Sequence, residues 1–304
     1  MTVNLSTSAF YAKATGQMTT LRGEANELQE QVGTGQRLTR SSEDPVAAAR
    51  LRTLSRSDRL AEIDQTGSDT AMSELELVDS ALGSMADIVF RVQELATQAA
   101  TGTLSPAQRA ALGVEVADLR STLVTIANGE NGAGHALFGG QGAGSAYTDN
   151  AGIITYAGSA TGKAIDLGDG QQVLPSLTGP EVLEFQVDGA PTDLFAVLGT
   201  LASALEGDGT DPVAASQAAL TGLGAGLEKI TTSQTIIGAR MNWVELMDDR
   251  RTTNGELRAS ETEQLGSADL ATTLSRLQQV MTVLEASQAS FVQLSSLSLF
   301  SQLN

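Results

Sequence analysis

The sequence predicts a mainly α-helical protein with a β-rich insert, built as an elongated helical bundle with paired terminal coiled-coil helices and a small β domain. Three observations support this fold class. Apolar residues recur at alternating spacings of three and four at both ends and in the middle of the chain, which is the period of an α-helix. Asp-Pro pairs at Asp44 and Asp211 mark helix starts. Twelve glycines, interrupted by short β-type runs, lie between Gly129 and Gly170.

Residues 1–40 predict an amphipathic helix of low intrinsic stability. Gly16 and Gly23 each lower its helix propensity by about 1 kcal/mol relative to alanine. We therefore expect this helix to form mainly when it is packed against a partner. Its apolar face, in which Gln17 fills a gap, consists of Phe10, Ala14, Leu21, Ala25, Leu28 and Val32.

Two bundle helices are predicted next. Gly33 and Gly35 end the first helix, and Asp44 caps a second one that begins with Pro45 and runs to about Ile63. From there to residue 71 no helix is predicted. Between residues 71 and 99 the heptad pattern is the most regular in the chain, and extra apolar residues widen its stripe, as in a small bundle.

A further bundle helix begins at Ser105. Ser105, Pro106 and Gln108 form a capping box with proline in the first helical position. The helix is predicted to end at Asn128 and Gly129, because glycine commonly follows a helix C-terminus.

The β-rich insert follows. Its β-type runs are residues 153–156, 164–167, 173–174 and 183–187, and turn signals lie at residues 149–152, 169–170 and 188–189. Helix returns at Asp193 and again at Asp211, from which a long helix is predicted to reach about Glu263.

The C-terminal stretch predicts a second terminal helix, because residues 268–303 contain neither glycine nor proline. Chain ends usually fray, so an apolar stripe that runs to the end of the chain needs a partner. We expect a coiled coil between the two chain ends or between many chains. The stripe consists of Leu270, Leu274, Leu277, Met281, Leu284, Phe291 and Leu294.

These elements divide the chain into three predicted domains. Residues 1–40 and 266–304 form a terminal coiled-coil domain that serves as the assembly core. Residues 41–130 and 192–265 form an α-helical bundle, and residues 131–191 form a β-rich outer insert.

The composition argues against several classes of function. The formal net charge is -18, with 36 acidic and 18 basic residues, and no Lys/Arg cluster suited to nucleic acid or an anionic membrane surface is present. The chain has no cysteine, so disulfides and thiol chemistry are excluded. No apolar run approaches the roughly 20 residues of a membrane span, and we expect no membrane insertion. The N-terminus resembles no cleavable secretory signal.

No catalytic, cofactor-binding or metal-binding residue is predicted. His135 is the only histidine, and a zinc site or catalytic triad needs more than one such group. The glycine-rich residues 139–144 lack the Lys-Ser/Thr ending of a phosphate loop. Asp166 and Asp169 lack a calcium-type repeat. The carboxylate pairs at residues 43–44 and 248–249 fit a helix start and a solvated helix face better than an acid–base site.

Four segments resemble the flagellin superfamily. Residues 34–38 (TGQRL), followed by residues 41–49 (SSEDPVAAA), are similar to its N-terminal signature, and the Asp-Pro-Val-Ala-Ala-Ala sequence points to its hook-associated branch. Residues 137–140 (LFGG) and 295–300 (SSLSLF) are similar to later segments of the family. The matching segments lie in both halves of the chain, whereas the insert has no comparable match.

This resemblance implies a non-enzymatic structural subunit of the bacterial flagellum. Family members of this branch leave the cell through the flagellar type III channel without a cleaved signal peptide, so an extracellular location in the flagellum is implied. They form a ring of identical subunits on the hook-associated protein 1 layer, and flagellin assembles on that ring. Their terminal helices become ordered on assembly and form an inner coiled-coil tube. An exposed apolar C-terminal helix also suggests an export chaperone as a partner.

Two alternatives remain open from the sequence. The first is a flagellin-type subunit that polymerises into long filaments by itself. The second is a surface- or carbohydrate-binding module in the β insert, for which Tyr147, Tyr156 and Phe185 are the aromatic side chains that a sugar ring would stack on.

Overall fold

A computed structural model describes the backbone of residues 2–300 and the side chains of residues 8–293. The helices and strands come in the order that the sequence predicts: long helices, then short strands, then long helices. The helices are α1 (Thr2–Thr34), α2 (Pro45–Ala100), α3 (Pro106–Ala127), α4 (Gly179–Leu183), α5 (Leu194–Glu206), α6 (Pro212–Gly266) and α7 (Leu270–Phe300). The strands are β1 (Tyr147–Asn150), β2 (Ile153–Tyr156), β3 (Ile165–Gly168), β4 (Gln171–Val173), β5 (Glu184–Val187) and β6 (Ala190–Asp193). The predicted fold class is confirmed.

The predicted helix starts are confirmed by their capping bonds. The Asp44 carboxylate accepts a hydrogen bond from the backbone N–H of Ala47 at 3.0 Å, and Pro45 is the first residue of α2. At α3, Ser105 and Gln108 form the reciprocal bonds of a capping box. Asp193 accepts from the backbone N–H of Ala196 at 2.8 Å and caps α5. Side-chain oxygens satisfy N–H groups that lack a partner within the helix, and so fix where each helix begins.

The predicted break after Ile63 is wrong, because α2 is one helix of 56 residues. The sequence between Ile63 and Ala71 contains no proline, and its only glycine, Gly67, costs about 1 kcal/mol in a helix. Gly67 has a packing role instead. A Cβ at this position would lie 2.4 Å from the backbone oxygen of Asp166, so only glycine lets β3 approach the helix this closely. α6 likewise runs past Glu263 to Gly266.

The insert consists of three separate antiparallel hairpins, β1–β2, β3–β4 and β5–β6, and each sheet has two strands. The turns lie at the predicted positions. Each has two central residues at positive φ: Ala151 and Gly152, Asp169 and Gly170, and Asp188 and Gly189. Two residues at positive φ characterise the tight hairpin turn whose twist matches that of the flanking strands. Strands β1 and β6 and helix α4 were not predicted from the sequence.

The chain divides into two compact units. One comprises residues 1–60 and 253–304, and the other residues 61–252. Both boundaries fall inside long helices, α2 and α6. The three-domain division made from the sequence stays a prediction.

The second unit contains the larger core. Its fully buried apolar side chains include Leu75 and Leu82 of α2, Leu123 of α3, Leu198 of α5 and Ile230 of α6, and the heptad predicted between residues 71 and 99 lies in this core. Helix α3 packs closely against α5. A Cβ on Gly113 of α3 would lie 3.0 Å from the Ala202 backbone oxygen and 3.1 Å from the Leu205 Cβ, so glycine permits this close contact.

Arg251 fastens the β3–β4 hairpin to the helices of the same unit. Its guanidinium donates to Gln65 at 2.9 Å, to the Ser68 hydroxyl at 3.0 Å and to the Leu167 carbonyl at 2.8 Å, and it forms an ion pair with Asp248. The side chain is only 12% exposed. A charge this buried needs several partners, and α2, α6 and β3 provide them.

Candidate assembly surface

The terminal helices α1 and α7 pack against each other in the first unit. Their shared core contains Ala25, Leu28 and Val280, with Leu21 and Leu277 packed against it. The buried and half-buried positions on α1 follow a heptad: Tyr11, Ala14, Met18, Leu21, Ala25, Leu28 and Val32. Those on α7 do the same: Thr273, Leu277, Val280, Leu284, Ser287 and Phe291. The spacing of four and three on both helices is that of a coiled coil.

Polar and aromatic contacts fix the register of this pair. Arg276 of α7 donates to Glu24 of α1 at 2.8 Å, across 252 residues of sequence. The rings of Tyr11 and Phe291 meet edge to face, with centroids 5.4 Å apart. Aromatic pairs in this geometry contribute about 0.5–1.5 kcal/mol beyond the area that they bury.

The chain segments that lead into α2 and into α7 are also tied together. Arg37 donates from Nη2 to the Leu265 carbonyl at 2.9 Å and to the Asp44 carboxylate at 3.3 Å. Backbone bonds join Arg37 to Gly266 at 2.7 Å and Ala268 to Gly35 at 2.9 Å. These bonds lie in the segment, residues 34–49, whose sequence carries the N-terminal signature.

The seam residues predicted from the sequence fall into two groups. Leu28 and Leu284 are buried, and Leu21, Val32, Leu277 and Phe291 are half-buried between the two helices. Four others face solvent in the single chain: Phe10 (48% exposed), Leu270 (51%), Leu274 (47%) and Met281 (38%). The side chain of Leu294 lies outside the described residues.

The register of the intramolecular pair therefore differs from the predicted one. On α1, Tyr11 and Met18 occupy the positions given to Phe10 and Gln17. On α7, the predicted and observed stripes share three residues at heptad spacing, Leu277, Leu284 and Phe291, but the pair packs on their Val280 side. The Leu274 and Met281 side stays uncovered, because one partner helix covers only part of a wide apolar stripe. The use of this uncovered side in assembly stays a prediction.

The polar residues weighed above as possible catalytic or metal-binding groups lie in surroundings that explain them structurally. His135 is exposed in a turn, where its backbone N–H donates to the Asn131 side chain at 3.0 Å. Hydrogen bonds from Thr39 lower the pKa of the Glu43 carboxyl, and the backbone N–H of Ala47 lowers that of Asp44. Both carboxylates hold the loop before α2. Asp248 is the ion-pair partner of Arg251.

The glycine-rich loop packs against the chain itself. A Cβ on Gly140, whose φ is 63°, would lie 2.5 Å from the Ser159 carbonyl and 2.7 Å from that of Thr161. The described part of the chain contains no group of three or more His, Cys, Asp or Glu side chains placed to hold a metal ion. Among the described helices, none combines the length and hydrophobicity of a membrane span.

The aromatic side chains of the insert are engaged in the core. Tyr147 is 5% exposed and contacts the rings of Tyr156 and Phe195 edge to face, with centroids 5.4 and 5.0 Å away. Tyr156 and Phe185 are partly buried and pack against the same core. Tyr147 therefore offers no free ring face on which a sugar would stack, and a sugar site at Tyr156 or Phe185 stays a prediction.

Comparisons with known proteins agree with this architecture. Residues 5–143 match the family described as the bacterial flagellin N-terminal helical region. The chain is 26% identical over 313 residues to flagellar hook-associated protein 3 of Escherichia coli, covering 98% of this chain and 99% of that protein. The relatives found are structural proteins of the flagellum and not enzymes.

Solved structures share the fold. A flagellar hook-associated protein from Vibrio parahaemolyticus superposes with a TM-score of 0.69 at 20% identity, over 74% of this chain and 100% of that one. The flagellar junction protein of Legionella pneumophila gives a TM-score of 0.61 at 17% identity, over 72% of this chain and 100% of that one. The resemblance to the hook-associated branch of the flagellin superfamily, inferred from the sequence motifs, is confirmed.

Proposed function

We infer that this protein is a junction adaptor of the bacterial flagellum, placed between the hook with its hook-associated protein 1 layer and the flagellin filament. The observation that carries this inference is the similarity to hook-associated protein 3 along almost the full length of both chains. A protein that shared only the helical scaffold of flagellins would be expected to match the two ends and not the middle.

Assembly through the terminal helices is the mechanism that the packing supports. α7 carries an apolar stripe wider than its contact with α1, and Leu270, Leu274 and Met281 remain 51%, 47% and 38% exposed. Fully burying an exposed apolar side chain contributes about 1.5–3 kcal/mol. These three are already about half covered, so sister copies that cover the rest would gain roughly half of that value for each. Repeated around a ring, such contacts build a coiled-coil tube.

The partners follow from this position in the flagellum. Identical copies form the ring, hook-associated protein 1 lies on its hook side, and flagellin assembles on its distal side. The protein acts outside the cell, in the flagellum. Before export, a chaperone that covers the apolar side of α7 keeps copies from associating early.

Deleting residues 270–304 tests the function. We expect the truncated chain to fold in residues 61–252, where the larger core lies, and to be absent from flagella isolated from a bacterium that lacks its own copy. Immunodetection in purified flagella and swimming in soft agar are the measurements. Normal incorporation and motility of the truncated chain would contradict the proposal.

A matched pair of variants tests the uncovered side of α7 without shortening the chain. L274Q/M281Q makes the exposed apolar positions polar, whereas S275Q/T282Q changes two exposed polar positions on the same helix. We expect the first variant to fold as the wild type does but to be depleted from flagella, and the second to incorporate normally. Equal incorporation of both variants would rule out this side as the assembly surface.

A flagellin-type filament subunit is the second candidate, because the N-terminal match is to a region described for flagellin. It predicts that concentrated pure protein polymerises into long filaments. The adaptor predicts that light scattering stays at the level of small species under the same conditions.

A further inference from the structure

The first unit has a pair of outward helix faces with opposite charge. Within one chain, α2 and α6 are joined by ion pairs: Arg50 with Glu261 at 2.5 Å, and Asp58 with Arg258 at 2.6 Å. As the residue number increases along α2, the number of its ion-pair partner on α6 decreases, so the two helices are antiparallel here. The other sides of both helices face solvent.

The outward face of α2 is basic and apolar. Val46 is 81% exposed and Leu60 is 51% exposed, at positions that a heptad stripe would use. Arg52, Arg56 and Arg59 are exposed on the same side, so this part of α2 carries a small basic cluster, contrary to the expectation from the sequence. Arg59 donates to Ser55, whereas Arg52 and Arg56 have no ion-pair partner among the described residues.

The outward face of α6 is acidic and apolar. Leu257 is 66% exposed, and the exposed Glu256 and Glu263 lie on one flank of it, seven residues apart. Within the described part of the chain neither carboxylate is ion-paired. Arg52 and Arg59 are also seven residues apart. Each of these four charged residues comes directly before a position on the outward stripe of its own helix. When two helices pack antiparallel, this flank of one helix meets the same flank of the other.

We propose that these two faces form the lateral contact between neighbouring copies, with α2 of one copy packed antiparallel against α6 of the next. In this contact Arg59 meets Glu256, Arg52 meets Glu263, and Leu60 lies beside Leu257. The proposal rests on the ring assembly inferred above and identifies its lateral surface. The register places neighbours side by side at nearly the same level, because the pairs within one chain, Arg50–Glu261 and Asp58–Arg258, align the two helices almost identically.

Two physical arguments favour a second copy as the occupant. Both faces belong to the same chain, and a head-to-tail contact between different faces is the kind that closes identical subunits into a ring. The charge distribution agrees. Residues 61–252 carry 25 acidic and 8 basic residues, a net charge of -17, whereas the first unit carries 11 acidic and 10 basic residues, a net charge of -1. Copies repel one another through the second unit, so attraction has to come from the nearly neutral first unit.

Charge reversal with rescue tests the contact. R52E/R59E places like charges opposite each other in every lateral contact, which disfavours association, so we expect its level in isolated flagella to fall at least about tenfold. The chain R52E/R59E/E256R/E263R restores opposite charges and should return to near the wild-type level. Circular dichroism and thermal unfolding of both purified chains verify that the fold is unchanged. Wild-type incorporation of the first variant, or no rescue in a folded second variant, would overturn the proposal.

Cross-linking in the assembled flagellum provides a direct readout. The natural chain has no cysteine, so R59C in one copy and E256C in another are the only thiols that this protein contributes when the two variants are co-expressed. We expect a dimer under mild oxidation only when both are present. If both chains are found in flagella and no mixed dimer forms, the lateral contact is wrong while the adaptor function stands. Absence of the wild-type chain from flagella would instead refute the adaptor function.

Discussion

Removing one hydroxyl from the core should stabilise the protein. Tyr147 is 5% exposed, and its Oη is a buried polar atom without a hydrogen-bond partner in the described structure. A buried polar group left unpaired costs about 1–3 kcal/mol. Phenylalanine keeps the ring and its edge-to-face contacts with Tyr156 and Phe195. We therefore expect Y147F to raise the free energy of unfolding by about 1–2 kcal/mol, since the small void that it leaves offsets part of the gain.

Tyr156 is the matched control. Its hydroxyl donates to the Ser159 carbonyl at 2.8 Å and lies 3.1 Å from the Phe138 carbonyl. Y156F removes the same atom and takes its hydrogen bond from the Ser159 carbonyl, whereas the Phe138 carbonyl keeps its bond from the Gly179 N–H at 2.9 Å, so we expect a loss of about 1 kcal/mol. For a unit of this size, about 1 kcal/mol shifts the melting temperature by roughly 2–4 °C, and the two variants should move in opposite directions.

The assay is urea unfolding followed by fluorescence. Trp243 is the only tryptophan, and it lies in the same unit as both tyrosines, so its emission reports on the relevant transition. Burial raises the pKa of Tyr147 above its usual value. Its neutral form is favoured in the folded chain, so stability is present below pH about 10 and is lost as the pH rises through the folded-state pKa. Y147F should weaken this alkaline loss. A Y147F chain at least 1 kcal/mol less stable than the wild type would refute the reasoning.

Three further predictions concern the helices. L28A should lower the free energy of unfolding of the α1–α7 pair by about 2–5 kcal/mol and raise amide exchange in both helices, whereas L274A at a half-exposed position should change exchange little. G113A should cost about 1–3 kcal/mol in urea unfolding, because its Cβ meets the backbone of α5, while G83A, with no atom within 4 Å of its Cβ, should stabilise by up to about 1 kcal/mol. The capping bond lowers the pKa of Asp44, so its contribution is present above pH about 4 and is lost as the pH falls through the folded-state pKa. D44A should therefore be less stable than the wild type at pH 7 in thermal melts and differ little from it at pH 2.

Local signals in the sequence predicted most of the fold. Asp44, Ser105, Asp193 and Asp211 mark helix starts because the side-chain oxygen that accepts and the backbone N–H that donates are only two or three residues apart. The hairpin turns were predictable for the same reason. Strand β6 was missed because its sequence, Ala-Pro-Thr-Asp, disfavours a strand. It pairs with β5 only because the preceding turn folds it back, and Pro191 is tolerated at the edge of a two-stranded sheet.

The spacing of apolar residues alone could not predict the contact register of the terminal helices. Phe10 and Tyr11 are adjacent aromatic residues on α1, and an apolar stripe through either one continues to Ala14 and Leu21. On α7, Leu274 and Thr273 offer the same choice, and the more apolar residue was chosen. The structure buries Thr273 and leaves Leu274 exposed, because the side that packs is decided by the shape of the partner helix and not by hydrophobicity.

The ion pair between Glu24 and Arg276 has a consequence for the order in which the protein folds. Each hairpin of the insert closes within a few residues, and such short-range contacts form quickly. α1 is synthesised before α7, and Arg276, which pairs with Glu24, comes 252 positions later in the chain. α1 therefore has no intramolecular partner until α7 has been synthesised. The hairpins of the insert can therefore fold before the α1–α7 pair can form.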